Sequence, residues 1–153
     1  MGIKILAIER QKNKAIDSLC QDYLERIKHN IPVTLQLLPS SKIEDPEKQK
    51  INETAMLVKH LRESDTVVIC DEHGTVYNSI TFSKFIEKQL VHLRGDLVFI
   101  IGGSYGLDHT QLNSYKSSIK LSEFVLPHHI ARLVLIEQVY RALSILKNTG
   151  YHH

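Results

Sequence analysis

The sequence predicts an α/β fold in which a parallel sheet is covered by helices on both faces, and three observations carry that prediction. Short apolar runs alternate with stretches of helical spacing along the whole chain, the pattern of strands joined by crossover helices. One run, Leu97 to Ile101, is apolar at every position, as a strand buried on both faces reads. That run stops at Gly102-Gly103 and bends again at Gly106, which is how a strand meets a loop where backbone must come close to itself or to a ligand.

Taken in order, Ile3 to Ile8 reads as the first strand. Asn13 to Lys28 follows as a helix, with Ile16, Leu19, Tyr23, Leu24 and Ile27 on one face. Val33 to Leu38 is the second strand. Asp45-Pro46 then supplies an N-cap and a first-turn proline for a helix through about Leu61. Thr66 to Cys70 is the third strand, ended by Asp71-Glu72-His73-Gly74, and Thr81 to Leu93 is a helix that turns Phe82, Phe85, Ile86 and Leu90 inward. The Leu97 to Ile101 strand comes fourth. After its glycines the pattern allows a short helix over Asp108 to Lys116, a short strand over Ile119 to Leu121 and a long helix over Ile130 to Leu146. Twelve of the seventeen residues of that last helix are apolar, more than one inward stripe requires, so a second copy of the chain is expected to cover the spare face. The alternative is a helix threaded through its own core.

Composition narrows the class. A chain of 153 residues, 42% hydrophobic and 24% charged, suits one domain spanning 1–153 with a single core. No stretch approaches the ~18 apolar residues of a membrane span, and the opening M-G-I-K-I-L-A-I runs straight into a strand without a cleavage-site pattern. No membrane association is expected. The cysteines, Cys20 and Cys70, stand in no metal or redox spacing, which suits a reducing cytoplasm. A net charge of +2 does not announce a polyanion, but from Pro127 onward Arg132, Arg141 and Lys147 face only Glu137, and four of the nine histidines lie there.

The residues that could carry chemistry lie at strand ends and on the last helix. Ligands of parallel sheets bind beyond the carboxyl ends of the strands, which here are Cys70 to Gly74 and Gly102 to Gly106. The loop G-G-S-Y-G-L lacks the G-x-G-x-x-G fingerprint of nicotinamide-dependent oxidoreductases, although Glu123 follows Gly103 by about the interval of a ribose-binding acid. Neighbouring histidines, His128-His129 and His152-His153, have no carboxylate or thiol suitably spaced, so no metal is expected. Glu137 and Arg141 stand at i and i+4. They are either a plain helical ion pair or, on so apolar a helix, the polar lining of a shared pocket.

Three segments together resemble the ribosomal RNA large subunit methyltransferase H family of the SPOUT superfamily: G-G-S-Y-G-L, the block L-S-E-F-V-L-P-H-H-I-A-R-L-V-L-I-E-Q-V-Y-R-A, and the ending Y-H-H. The likeness covers the whole chain. It includes the I-L-A-I start and the Tyr23, Leu24, Arg26 triplet of the first helix. The resemblance implies a SPOUT-type fold with a C-terminal trefoil knot and a homodimer with the active site at its interface. It also implies S-adenosylmethionine as methyl donor and N3 of a pseudouridine in a 23S rRNA stem-loop of the assembled ribosome as acceptor. Family cofactor positions fall on Cys70, Gly102, Gly103, Leu121, Ser122, Glu123, Phe124, Val125 and Leu126. His128, Arg132, Glu137, Tyr140, Arg141, Tyr151 and His152 are then expected around the acceptor nucleotide. In that scheme Arg132 and Arg141 meet phosphate or imide oxygen, His128 or Glu137 takes the imide proton, and the Tyr151-His152 tail acts as a clamp. A non-enzymatic ribosome-binding dimer is the other reading of the same cationic end.

Overall fold

The alternation in sequence becomes five strands and five helices, described over residues 1–153 in a computed structural model. In chain order these are β1 (Ile3–Glu9), α1 (Lys14–Lys28), β2 (Val33–Pro39), α2 (Pro46–Val58), β3 (Thr66–Val76), α3 (Ser79–Val91), β4 (Leu97–Ile101), α4 (His109–Leu112), β5 (Ser117–Lys120) and α5 (His128–Lys147). The strands lie in the order β2-β1-β4-β3-β5, and every neighbouring pair is parallel. Alternate residues of each strand serve opposite faces. Ile3, Ile5, Ala7, Leu97, Phe99 and Ile101 pack with α1, α3 and α5, while Leu6, Ile8, Val98 and Ile100 pack with Leu57 of α2 and Leu112 of α4. This is the two-sided cover that the apolar Leu97–Ile101 run required.

Local chemistry sets the helix starts. Asn13 accepts the Ile16 amide of α1 at 3.0 Å, and Asp45 accepts that of Lys48 in α2 at 2.9 Å, with Pro46 in the first turn. Asn78 and Thr81 form a reciprocal capping box at α3. At the other end of the chain, Asn148 takes a left-handed conformation (φ 53°), and Thr149 N–H returns to the Ser144 carbonyl at 3.1 Å. This closes α5 as a Schellman turn does. Gly150 (φ 78°) then turns the tail.

Three elements differ from the sequence pattern. The third strand does not end at Cys70: Cys70 and Thr75 both pair with Ile119, and Val76 pairs with Lys120, so residues 71–74 loop out as a bulge before pairing resumes. A Cβ at Gly74 would sit 2.4 Å from the Ile119 carbonyl carbon, so the crossing admits no side chain. β5 begins at Ser117 rather than Ile119, because Ser117 and Ser118 join the ladder opposite Val68 and Ile69, and two serines carry no apolar signal. α4 is a single turn that stops at Leu112, short of the expected Lys116.

α5 packs on α1 and α3 and reaches β1 and β4. Its buried face carries Leu135, Ile136, Val139, Ala142 and Leu143 and also Arg132, which is only 1% exposed. The Arg132 guanidinium is 2.8 Å from Asp17 of α1 and 3.7 Å from Glu9 at the end of β1, so one side chain ties three elements together. Glu9 Oε1 and Arg132 Nε have no hydrogen-bond partner. Breaking a buried pair strands its partners, at about 3–5 kcal/mol. Asp17 is 38% exposed and can rehydrate, which places the cost at the lower end. We expect Arg132→Ala to lower unfolding stability by about 3 kcal/mol in urea titration; an unchanged midpoint would show that the cluster contributes nothing.

Candidate active site

Because every strand is parallel, all five carboxyl ends share one edge of the sheet, and the sequence-predicted cofactor positions gather there. β4 runs into Gly102–Gly106, a loop folded on itself by a bridge between Gly103 and Gly106, with Gly106 N–H donating to the Gly103 carbonyl at 3.1 Å. Gly106 has φ 79°, the left-handed region that favours glycine. A Cβ at Gly103 would lie 2.3 Å from Glu53 Oε2, so this glycine is demanded by the protein's own buried carboxylate. On the neighbouring strand, Cys70 pairs with Ile101 and stands where the β3 bulge begins. Burial pushes its thiol above the usual range, and the charge of Asp71 adds to that. A thiol so held is an apolar wall rather than a nucleophile.

The segment Leu121 to Leu126 links β5 to α5. Leu121, Ser122 and Leu126 are half-buried, whereas Phe124 and Val125 are 85% and 90% exposed. Glu123 is taken up by Lys120 at 2.8 Å. The backbone contributes little within the segment: outside the helices and strands it makes one hydrogen bond, from the Phe124 amide to Ser122 Oγ at 2.9 Å. The remaining amides and carbonyls are available to a ligand.

His128 opens α5 behind Pro127, which gives the helix no side-chain cap. Its ring meets that of His129 edge-on with centroids 5.6 Å apart, and it makes no hydrogen bond. Burial lowers its pKa from the ordinary histidine value, and the charges of His129, Arg132 and Arg10 lower it further. At neutral pH it is an uncharged imidazole with a free lone pair.

The far end of α5 holds a second group. Glu137 Oε1 accepts from Arg141 Nε at 2.9 Å, Arg141 Nη2 at 2.7 Å and the Tyr151 hydroxyl at 3.1 Å, while Gln138 donates to Glu137 Oε2. Arg141 Nη1 lies 3.3 Å from His152 Nδ1, and its guanidinium stacks over the Tyr151 ring at 4.6 Å. The bond to Glu137 raises the pKa of Arg141, and burial followed by the Tyr23 hydrogen bond and the Glu137 charge raises that of Tyr151. Tyr140 packs edge-on against Tyr151, with ring centroids 4.7 Å apart. The folded-back tail thus forms one wall of an open groove of about 600 Å³ lined by Tyr140, Arg141, Thr149, Gly150, Tyr151 and His153.

The structure therefore divides the expected acceptor residues. Glu137, Tyr140, Arg141, Tyr151 and His152 come together; His128 stands at the other end of the helix. Arg132 departs from its expected role, because its guanidinium is buried against Glu9 and Asp17 and offers no surface to a phosphate. Tyr23, whose hydroxyl is 3.4 Å from that of Tyr151, was legible in the sequence as a residue of the first helix's apolar face and of its resemblance motif, but not as a partner of the tail. Glu9, Asp17 and Gln138 carried no signal, since nothing in their spacing relates them to α5 or to its pocket. No group of three or more His, Cys, Asp or Glu side chains is disposed to hold a metal, and no helix is long and apolar enough to cross a membrane.

Comparisons with known proteins bear on the fold and on the family. The fold resembles a probable methylase family protein from Haemophilus influenzae (TM-score 0.55, 17% identity, 99% of this chain and 70% of that one). It also resembles the ribosomal RNA small subunit methyltransferase E of Neisseria gonorrhoeae, a structure bound to S-adenosyl methionine (TM-score 0.52, 13% identity, 95% of this chain and 67% of that one). In sequence the chain is 35% identical to the ribosomal RNA large subunit methyltransferase H of Bacteroides fragilis, over 100% of this chain and 99% of that protein. It is 36% identical to the protein of the same name from Phocaeicola vulgatus, with the same coverage. A family model described as "Predicted SPOUT methyltransferase" matches residues 1–152. The chain belongs to the SPOUT methyltransferases and, within them, to the ribosomal RNA large subunit methyltransferase H family.

Proposed function

We propose that the protein is a homodimeric rRNA methyltransferase of the cytoplasm that transfers the methyl group of S-adenosylmethionine to N3 of a pseudouridine in a 23S rRNA stem-loop of the assembled ribosome. The names of its relatives supply the substrate class. The observation that carries the dimer is the length of α5. His128 and Arg141 are thirteen residues apart on one continuous helix, about 20 Å at 1.5 Å per residue. One nucleotide does not reach both in a single protomer. Two copies packed with their last helices antiparallel bring the His128 end of one to the Arg141 end of the other, and the half-buried Leu133, Val134 and Ile145 give that contact apolar surface. The trefoil knot belongs to the same reading. It is supported by the way the chain leaves edge strand β5 through Leu121–Leu126 and returns in α5 to the central strands β1 and β4.

The residues at the sheet edge fit an adenosine-bearing cofactor. Phe124, Val125 and the Cys70 wall offer apolar surface, and Leu121–Leu126 has amides and carbonyls to spare for a base edge, while Gly102 is buried and lets the loop close on Gly106 behind them. When bound, the cofactor supplies a methyl on a sulfonium, which needs the acceptor nitrogen in line behind it. The chain's own residues then have two tasks. His128, uncharged and without a hydrogen bond, accepts the imide proton from N3 so that the nitrogen lone pair can attack. Glu137 is occupied by four donors and serves instead to hold Arg141 and Tyr151, whose positive and hydroxylic surface steadies the anionic base.

Calorimetric titration with S-adenosylmethionine, together with the mass in solution, tests this directly. Saturable binding by a dimer is expected; a well-folded protein that is monomeric, or that leaves ribosomes unmethylated in the presence of the cofactor, would overturn the proposal. In single-turnover assays His128→Ala is expected to slow transfer about 100-fold, whereas Glu137→Gln should chiefly weaken ribosome affinity. The wild-type rate should fall as pH drops through a midpoint below 6.5, since the pKa of His128 is depressed and its protonation removes the acceptor. That limb should vanish in His128→Ala.

A further inference from the structure

At the same carboxyl edge, on the side away from the cofactor segment, lies a second groove of about 300 Å³ that the reaction described above does not use. Arg10 enters it from the end of β1, Ser40, Ser41 and Lys42 from the loop after β2, Gln49 from α2 and Tyr105 from the glycine loop. Four separate segments thus converge on one small space, and the loop after β2 is fixed to the end of β1 by the Ser40 amide, which donates to the Glu9 carbonyl at 3.0 Å.

The chemistry of this lining is specific. Arg10 and Lys42 are exposed and enter no ion pair. Tyr105 is 51% exposed, on a turn closed by the bridge between Gly103 and Gly106. Gln49 has its amide orientation set from behind: Nε2 donates at 2.7 Å to Glu53, a carboxylate 2% exposed, so its amide oxygen is left as a free acceptor. Glu44 also lines the groove, a poor neighbour for a free multivalent anion but a good acceptor for a hydroxyl. Unpaired cations, a flat aromatic face, and acceptors and hydroxyls suited to a 2′-OH are the parts with which proteins hold single-stranded RNA.

The position relative to the reacting residues points the same way. Arg10 follows Glu9, whose carboxylate lies 3.7 Å from Arg132 near the start of α5. The groove therefore adjoins that end of α5, where the charge of Arg10 helps lower the pKa of His128. The cofactor segment follows β5 at the opposite edge, four strand spacings from β2, or about 19 Å. A single strand laid along the carboxyl edge from one to the other crosses the ends of β1, β4 and β3, and with them the glycine loop.

We infer that this groove is a second RNA subsite, which takes an unpaired nucleotide flanking the one that is methylated. Arg10 and Lys42 meet its phosphate, Ser40, Ser41 and Glu44 its ribose, and Tyr105 stacks on its base. The subsite rests on the rRNA reading above and deepens it, by assigning substrate affinity to residues far from the tail groove.

The test uses the full-length protein, purified bacterial ribosomes lacking the modification, and four variants: Arg10→Ala/Lys42→Ala, Tyr105→Ala, its conservative partner Tyr105→Phe, and the charge-matched Lys84→Ala/Lys88→Ala on α3. Ribosome binding is followed by co-sedimentation across a salt series, methyl transfer by incorporation of labelled methyl, and cofactor binding by calorimetry. We expect Arg10→Ala/Lys42→Ala to raise the ribosome Kd and KM about tenfold and to flatten the salt dependence, while cofactor affinity, and kcat read at a pH high enough that His128 is unprotonated with or without the Arg10 charge, stay at wild-type values. Tyr105→Ala should weaken binding and Tyr105→Phe restore it, because stacking needs the ring and not the hydroxyl. If the groove variants bind ribosomes no differently from the α3 control, the subsite does not exist. If wild-type protein binds ribosomes without methylating them, the reaction assignment fails and the Kd comparison alone decides the groove. Absence of ribosome binding by the wild type overturns both.

Discussion

All five strands run in the same direction, and that constraint organises the rest of the molecule. Parallel neighbours cannot be joined by tight hairpins, so each connection crosses a face of the sheet and both faces are covered. It follows that β1, β3, β4 and β5 deliver their carboxyl ends, and the loops that follow them, to one edge. A glycine turn, the bulge after Cys70 and the unpaired backbone that leads into α5 meet there although they come from separate segments of the chain. The chemistry of the protein is a consequence of this shared edge more than of any single motif.

The last helix adds the second constraint. A helix of 20 residues is a rigid rod, and what stands at its two ends is held apart by its length. Its inner face satisfies the core of its own chain, so the excess of apolar residues has two causes rather than one. Part of it packs on α1 and α3, and part is left half-open along the outer side. Arg132 belongs to the inner part. The same position that looks cationic and available in a linear reading is, in three dimensions, a buried tie between Glu9 and Asp17, and its contribution to the site is to seat the first turn of α5.

Electrostatics then distinguishes two polar groups that composition alone makes equivalent. His128 and Glu137 are both capable of taking a proton. Glu137, however, has its oxygens engaged by Arg141, Tyr151 and Gln138, whereas His128 is desolvated beside positive charge and makes no hydrogen bond. The surroundings, not the residue types, are what give the two residues different parts in the proposed reaction.

The fold class, the order of strands and helices, the glycine-ended central strand and the Glu137–Arg141 pair were all readable in the chain, because each depends on local periodicity or on residues within a turn of one another. Capping residues such as Asn13, Asp45 and Asn78 mark their helices for the same reason. What the sequence could not show is what depends on contacts between distant segments. The serine-rich β5 and the bulge of β3 exist because an edge strand was recruited through backbone bonds that leave no apolar signature. Tyr151 docks on Glu137 and Tyr23 only because Asn148 and Gly150 turn the tail back over α5, and Arg132 is buried only because α1 and β1 meet beneath it. Sequence fixes local conformation through propensity and pattern; which side chains share a pocket is decided by packing, where burial and charge act on neighbours that lie a hundred residues apart in the chain.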